Sequence, residues 1–197
     1  MRGHGRVPVR HPDGPERRNK LVESLSRLGG GTPPVEAKTW EDWKEALKRT
    51  PPPKVLVLLP HSDQIGINVD ALELADKKWL TKVNIKDDVV GPKEAVQLLL
   101  LLGCSTAQVR GVFDPYPVRF RDSGADIVIA TLEAILGADA APIGARIADL
   151  LAGRLSPGRE IAFGELLRDL RRELLAEGHP GVLGLMGFGD ADWVFGG

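Results

Sequence analysis

The hydrophobic positions of this chain recur in two rhythms, and the places where one rhythm gives way to the other predict its elements. In residues 16–28, "ERRNKLVESLSRL", Leu21, Val22, Leu25 and Leu28 share one helical face, closed by Gly29 to Gly31. "PVEAKTW" reads as a short strand. Thr39 then opens "TWED", with Asp42 at the third helical position, the spacing of a capping box. That helix turns Trp40, Trp43, Ala46 and Leu47 inward and stops before Pro51 to Pro53. Three largely apolar runs follow: "KVLVLLP" (Lys54 to Pro60), Ala95 to Leu102, and "ADIVIATL" (Ala125 to Leu132). Runs this short and mostly apolar, the first bounded by prolines and the second ended by Gly103, predict buried strands of a parallel sheet.

Between the first two runs, residues 61–92 hold shorter strand-like pieces, "GINVDALELAD" and another near Leu80 to Ile85, read as crossing the top of the sheet. Residues 108–124 read as loop and short helix, because Pro115 and Pro117 break anything longer. Two amphipathic helices are expected at about 140–152 and 163–177, the second ended by Gly178 and Pro180, before a last strand "VLGLMGF" and the segment "GDADWVF". Strands alternating with helices, with both sheet faces needing cover, predict a three-layer α/β fold, mostly parallel, with helices on both faces. Residues 1–15 form an irregular basic lead-in, and 16–197 one domain.

Composition changes this picture little. Apolar content of 43% and charged content of 27% are ordinary for a globular chain, and a net charge of −1 gives no general reason to bind nucleic acid or an anionic membrane. The six Arg and Lys of the first twenty residues, among Gly and Pro, read as a solvated arm. No apolar run approaches the roughly 18 residues of a membrane span, and no signal peptide is visible. One cysteine makes neither an internal disulfide nor a Cys-rich zinc site, which suits a reducing, cytoplasmic location. No cluster has metal-ligand spacing (His4 and His11 lie in the lead-in), and no cofactor is expected.

Candidate chemistry sits at the strand ends. His61 directly follows "VLVLLP", and Cys104, the lone cysteine, follows "QLLLLLG". In open α/β sheets ligands bind beyond the carboxyl ends of the strands. If these two strands are parallel neighbours, about 5 Å apart, an imidazole and a thiol share one rim, as a cysteine hydrolase requires. Gly103, Ser105 and Thr106 are small enough for a substrate backbone to approach the sulfur. Taken singly, a cysteine beside a leucine-rich strand is also what a small buried hydrophobe looks like, and a histidine after a strand is also an ordinary rim residue.

"VLVLLPHSD", "LLLLLGCSTA", "FRDSGADIVIATLEAI" and "GELLRDLRRELLAEGHPGVLGLMGFGDADWVF" together resemble, in order and over about residues 20 to 195, the CHAT domain group of caspase-like, separase-related clan CD cysteine peptidases. The 43 positions from His61 to Cys104 (104 minus 61) are also close to the roughly 50 that separate these residues in caspases. The resemblance implies a caspase-like sheet with its last strand reversed. It makes Cys104 the nucleophile and His61 its acid/base partner, with the backbone N–H groups of Ser62 and Cys104 as oxyanion donors. It also implies a substrate-reading acid after the third run, at Asp139 or nearby Glu133, and matches Asp190 and Asp192 to the family's terminal "GD" turn, with Asp190 a further substrate contact. Arg119 and Arg121 would be accessible for self-processing. The implied partners are a protein substrate and an upstream activating protease or sensor domain, in a bacterial defence or CRISPR-associated effector that is a piece of a larger protein.

The sequence departs from that family in particulars. Ser62 stands where the family usually has glycine, Leu102 where metacaspases cutting after basic residues carry an acid, and only "RVPVR" could supply the family's first strand. Asp139 also reads as a helix N-cap, Asp190 as a turn residue, and Asp63 either as orienting His61 or as closing a turn. Ser62 favours a different class, a catalytically inactive CHAT-like interaction module. A nucleotide-binding domain is disfavoured because no G-x-G-x-x-G opens a helix after a strand. An α/β-hydrolase elbow fails at Thr106, where glycine is needed.

Overall fold

The computed structural model describes residues 14–65, 69–73, 78–91, 98–103, 105–107, 115–132, 137–154 and 160–195. In chain order they form α1 (Gly14–Leu28), α2 (Trp40–Leu47), β1 (Val55–Leu58), β2 (His61–Ile65), β3 (Val69–Glu73) and β4 (Trp79–Thr81), then α3 (Asp87–Val90), β5 (Leu98–Leu101), α4 (Tyr116–Asp122) and β6 (Ile127–Thr131). α5 (Gly137–Arg154), β7 (Ile161–Ala162), α6 (Phe163–Ala176), β8 (Leu185–Phe188) and β9 (Val194–Phe195) complete the order.

Leucine runs make the centre of the sheet. Strand order is β1-β5-β6-β8; β1, β5 and β6 run parallel, and β8 is antiparallel to β6. Successive side chains of a strand leave on opposite faces, so Leu99 and Leu101 of β5 join one core with Val128 and Ala130 of β6. That core is closed by α2 and α4 through Trp40, Trp43, Leu47 and Phe120. Leu98 and Leu100, with Ile127 and Ile129, meet Ile143, Ile147 and Leu151 of α5 and Leu166 and Leu170 of α6 on the other face. The architecture is therefore three-layer α/β with a mostly parallel sheet and helices on both faces. Each fully buried leucine contributes about 1.5–3 kcal/mol, so β5, at most 1% exposed along its length, is the keystone of both cores.

α2 begins as its sequence predicts. Thr39 Oγ1 accepts from the Asp42 N–H at 3.0 Å, and Asp42 Oδ2 accepts from the Thr39 N–H at 3.0 Å. The Thr39 hydroxyl first, then the Lys38 and Thr39 backbone N–H groups, hold the Asp42 carboxyl below its usual range. Replacing Thr39 with Ala is expected to cost about 1 kcal/mol of stability. Urea unfolding checks this, and Thr39→Ser should restore most of the loss.

Several expectations are corrected. "PVEAKTW" forms no strand: 32–37 lack ladder bonding, Val35 is exposed, and Pro33 and Pro34 supply no N–H. Among the described residues β1 is an edge strand and only alternately buried: Leu56 and Leu58 are buried, while Val55 and Val57 pack partly buried against the second core. The pieces after His61 form a separate antiparallel sheet, β2-β3-β4. α5 starts at Gly137, earlier than expected, and carries Pro142 inside the helix. Arg154 Nη1 and Nη2 reach Asp169 and Glu173 at 2.7 Å each and fasten α5 to α6. Among the described residues no helix is long and apolar enough to cross a membrane.

Candidate functional site

β1 and β5 pair in register from Val55↔Leu98 to Leu58↔Leu101, so each β1 residue faces the one 43 positions later (98 minus 55). The ladder continues past the strands: the Leu102 N–H donates to the Leu58 carbonyl at 2.9 Å. The next two residues on each chain are Leu59–Pro60 and Leu102–Gly103, and they remain in contact. A Cβ built on Gly103 would overlap the Pro60 carbonyl oxygen and lie 3.1 Å from Pro60 Cγ. His61 comes next on one side, exposed, as the first residue of β2. Cys104 comes next on the other side and lies outside the described residues. Its spacing from His61 equals the register offset.

Beyond Cys104 the chain is held by side chains. Thr106 and Thr131 are completely buried. The Thr106 hydroxyl donates to the Leu101 carbonyl at 2.9 Å and accepts from the Thr131 N–H at 3.2 Å. The Thr131 hydroxyl donates to the Gly103 carbonyl, and the Ala107 N–H donates to the Thr131 carbonyl at 2.8 Å. Each hydroxyl has a single proton, and both are committed to carbonyls. The 3.1 Å approach of the two Oγ1 atoms is therefore close packing and not a further bond. Ser105 occupies the left-handed region at φ +54°, a conformation that non-glycine residues adopt rarely.

The other expected residues scatter. Ser62 and Asp63 lie within β2, opposite Leu72 and Ala71, so Asp63 belongs to a hairpin arm and closes no turn. Glu73 stands directly opposite His61; cross-strand partners share a face, and no sequence pattern announced this pairing. Glu133 lies outside the described residues, as do His4 and His11. Asp139 is not the N-cap of α5: it is exposed inside the first turn, where the helix dipole favours its charge. Asp190 is displaced more. β8 runs against β6, pairing Phe188 with Val128, so the chain beyond it emerges at the end of the sheet opposite His61 and Gly103. There Asp190 accepts from the Asp192 N–H at 3.0 Å, a local turn bond. Arg119 and Arg121 sit on α4, and Arg121 Nε donates to the Asp126 carbonyl at 3.3 Å. Neither arginine lies in an extended loop of the kind proteases nick, so self-processing there would require α4 to unwind.

No family model matches the chain, and no curated protein matches it either. What can be said of its chemistry comes from its own residues: an exposed imidazole at one strand tip, a cysteine next in sequence after the neighbouring tip, and a turn fixed by two buried hydroxyls.

Proposed function

We propose that the protein is a caspase-like cysteine endopeptidase of the cytoplasm, with Cys104 as nucleophile and His61 as acid/base partner. The observation that supports this reading is the agreement between the β1–β5 register offset and the spacing of the two residues. Neighbouring strands lie about 5 Å apart, a spacing that supports an approach of imidazole and thiol beyond the two tips.

In the proposed reaction His61 takes the thiol proton and the thiolate attacks the scissile carbonyl carbon. The C–S bond forms while the carbonyl oxygen takes up negative charge, which backbone N–H groups at Ser62 and Cys104 would stabilise. The C–N bond then breaks as His61 returns its proton to the leaving amine. Water next attacks the thioester with His61 as base, forming the C–O bond, breaking C–S and restoring the thiolate–imidazolium pair or its neutral equivalent. No cofactor is needed. The substrate is a protein segment, and release from an upstream protease or sensor would suit the defence effectors that the sequence resembles.

A single cysteine makes the test clean, because alkylation can strike no other thiol. The protein is incubated with a fluorogenic peptide library before and after stoichiometric treatment with iodoacetamide. Turnover that disappears on alkylation is expected. Turnover that survives alkylation overturns the thiol mechanism. A complete lack of turnover, with alkylation no faster than that of a model thiol, would favour the inactive interaction module that Ser62 suggested.

A further inference from the structure

Buried threonine hydroxyls usually serve to satisfy the backbone, but this pair does so at both ends of one short segment. The Leu101 carbonyl, at the end of β5, receives the Thr106 hydroxyl, and the Gly103 carbonyl, just before Cys104, receives that of Thr131. Ala107 is bonded to Thr131 as well, so Gly103, Thr106 and Ala107 are all clamped to the last residue of β6. Inside the clamp Ser105 holds a left-handed conformation, which persists in proteins where surrounding contacts over-determine it. The sequence places Cys104 between the two clamped points.

We infer that Thr106 and Thr131 are positioning residues, which fix the turn carrying Cys104 and thereby set the reactivity of its thiol. The inference rests on the peptidase reading for the direction of the effect. Thr106 and Thr131 act through the backbone, holding the end of β5 and the carbonyl of Gly103, the stretch of chain that leads directly into Cys104. The Thr131 hydroxyl acts on the residue adjoining the nucleophile, and Thr106 braces Thr131 by accepting its N–H. A clamp built from side-chain hydroxyls on a neighbouring strand ties nucleophile geometry to the β5–β6 pairing, which is the most buried part of the sheet.

The test compares Thr131→Val, which keeps the shape but loses the hydroxyl, with Thr131→Ser, which keeps the hydroxyl. The readouts are the iodoacetamide alkylation rate of Cys104 across pH and, separately, kcat and KM for the best library peptide. Thr131→Val should alkylate about tenfold more slowly near neutral pH, with kcat falling by about 10–100-fold and KM little changed, because a displaced turn loses reacting geometry more than substrate binding. Thr131→Ser should recover most of both. An alkylation profile of Thr131→Val that matches or outpaces the wild type overturns the inference, as does a serine variant no better than valine. Should Thr131→Val melt below the assay temperature, Thr106→Val against Thr106→Ser decides by the same criteria. Failure of the peptidase reading shows differently, as absent turnover in the wild type itself.

Discussion

Replacing His61 with Ala is expected to lower kcat/KM for peptide cleavage by on the order of 10⁴-fold or more, while leaving the fold intact. His61 is exposed at the start of β2 and belongs to neither hydrophobic core. Surface substitutions of this kind shift stability by within about 0.5 kcal/mol, so a melting curve close to the wild type's should accompany the loss. The expected kinetic effect is large because in the proposed mechanism the histidine acts twice, removing the thiol proton and then protonating the leaving nitrogen. Cys104→Ala should lose at least as much, and the double variant should be no worse than the poorer single one, because residues that act as a unit are not additive. Measured kcat/KM values for the three variants, with circular dichroism melts, check all of this. A His61→Ala enzyme within tenfold of the wild type would remove the imidazole from the mechanism. Glu73 is the residue paired with His61 across β2 and β3.

The parts of this fold that sequence reveals are those where one residue type satisfies several constraints at once. Leu98 to Leu102 can only be buried on both faces, and a strand buried on both faces needs helices on each side; the three-layer architecture follows. Thr39 and Asp42 mark a helix start because the bonds are local and their spacing fixes them. What escapes is set by partners distant in the chain. β1 resembles β5 in composition, yet its place at the sheet edge leaves it half-covered. Asp190 followed a strand as His61 does, and only the antiparallel direction of β8 sends it to the opposite rim. Thr106 reads as one more small residue after the cysteine; its bonds to Leu101 and Thr131 depend on the pairing of β5 with β6. The strand-end rule points to the residues just past β1 and β5, but the hydroxyl bonds behind them are barely visible in sequence. A pair of threonines near the ends of two adjacent buried strands is the only hint the sequence held.

The second large effect is expected at Gly103, where one added methyl group should harm both stability and chemistry. A Cβ there overlaps the Pro60 carbonyl oxygen on one side and meets Thr106 Cγ2 at 3.1 Å on the other. Neither neighbour yields easily: Pro60 is part of the backbone leading into His61, and Thr106 is completely buried with its hydroxyl doubly bonded. Gly103→Ala must therefore part the β1 and β5 tips or push the turn off its clamp. Overpacking a filled interior costs about 1–3 kcal/mol, which for a chain of this length lowers Tm by roughly 2–4 °C per kcal/mol. A displacement near 1 Å at the reacting pair costs on the order of 10²-fold in rate, so kcat should fall well beyond what the modest destabilisation explains, with KM changing less. Gly153 supplies the control. It lies near the end of α5, a Cβ there meets nothing within 4 Å, and Gly153→Ala should leave turnover unchanged while raising stability by up to about 1 kcal/mol through helix propensity. Calorimetry and steady-state kinetics on the two variants separate a general glycine effect from a local wedge. If Gly103→Ala melted and turned over like the wild type, the tips would be free to move apart without consequence. The proposed approach of His61 and Cys104 would then have lost its structural basis.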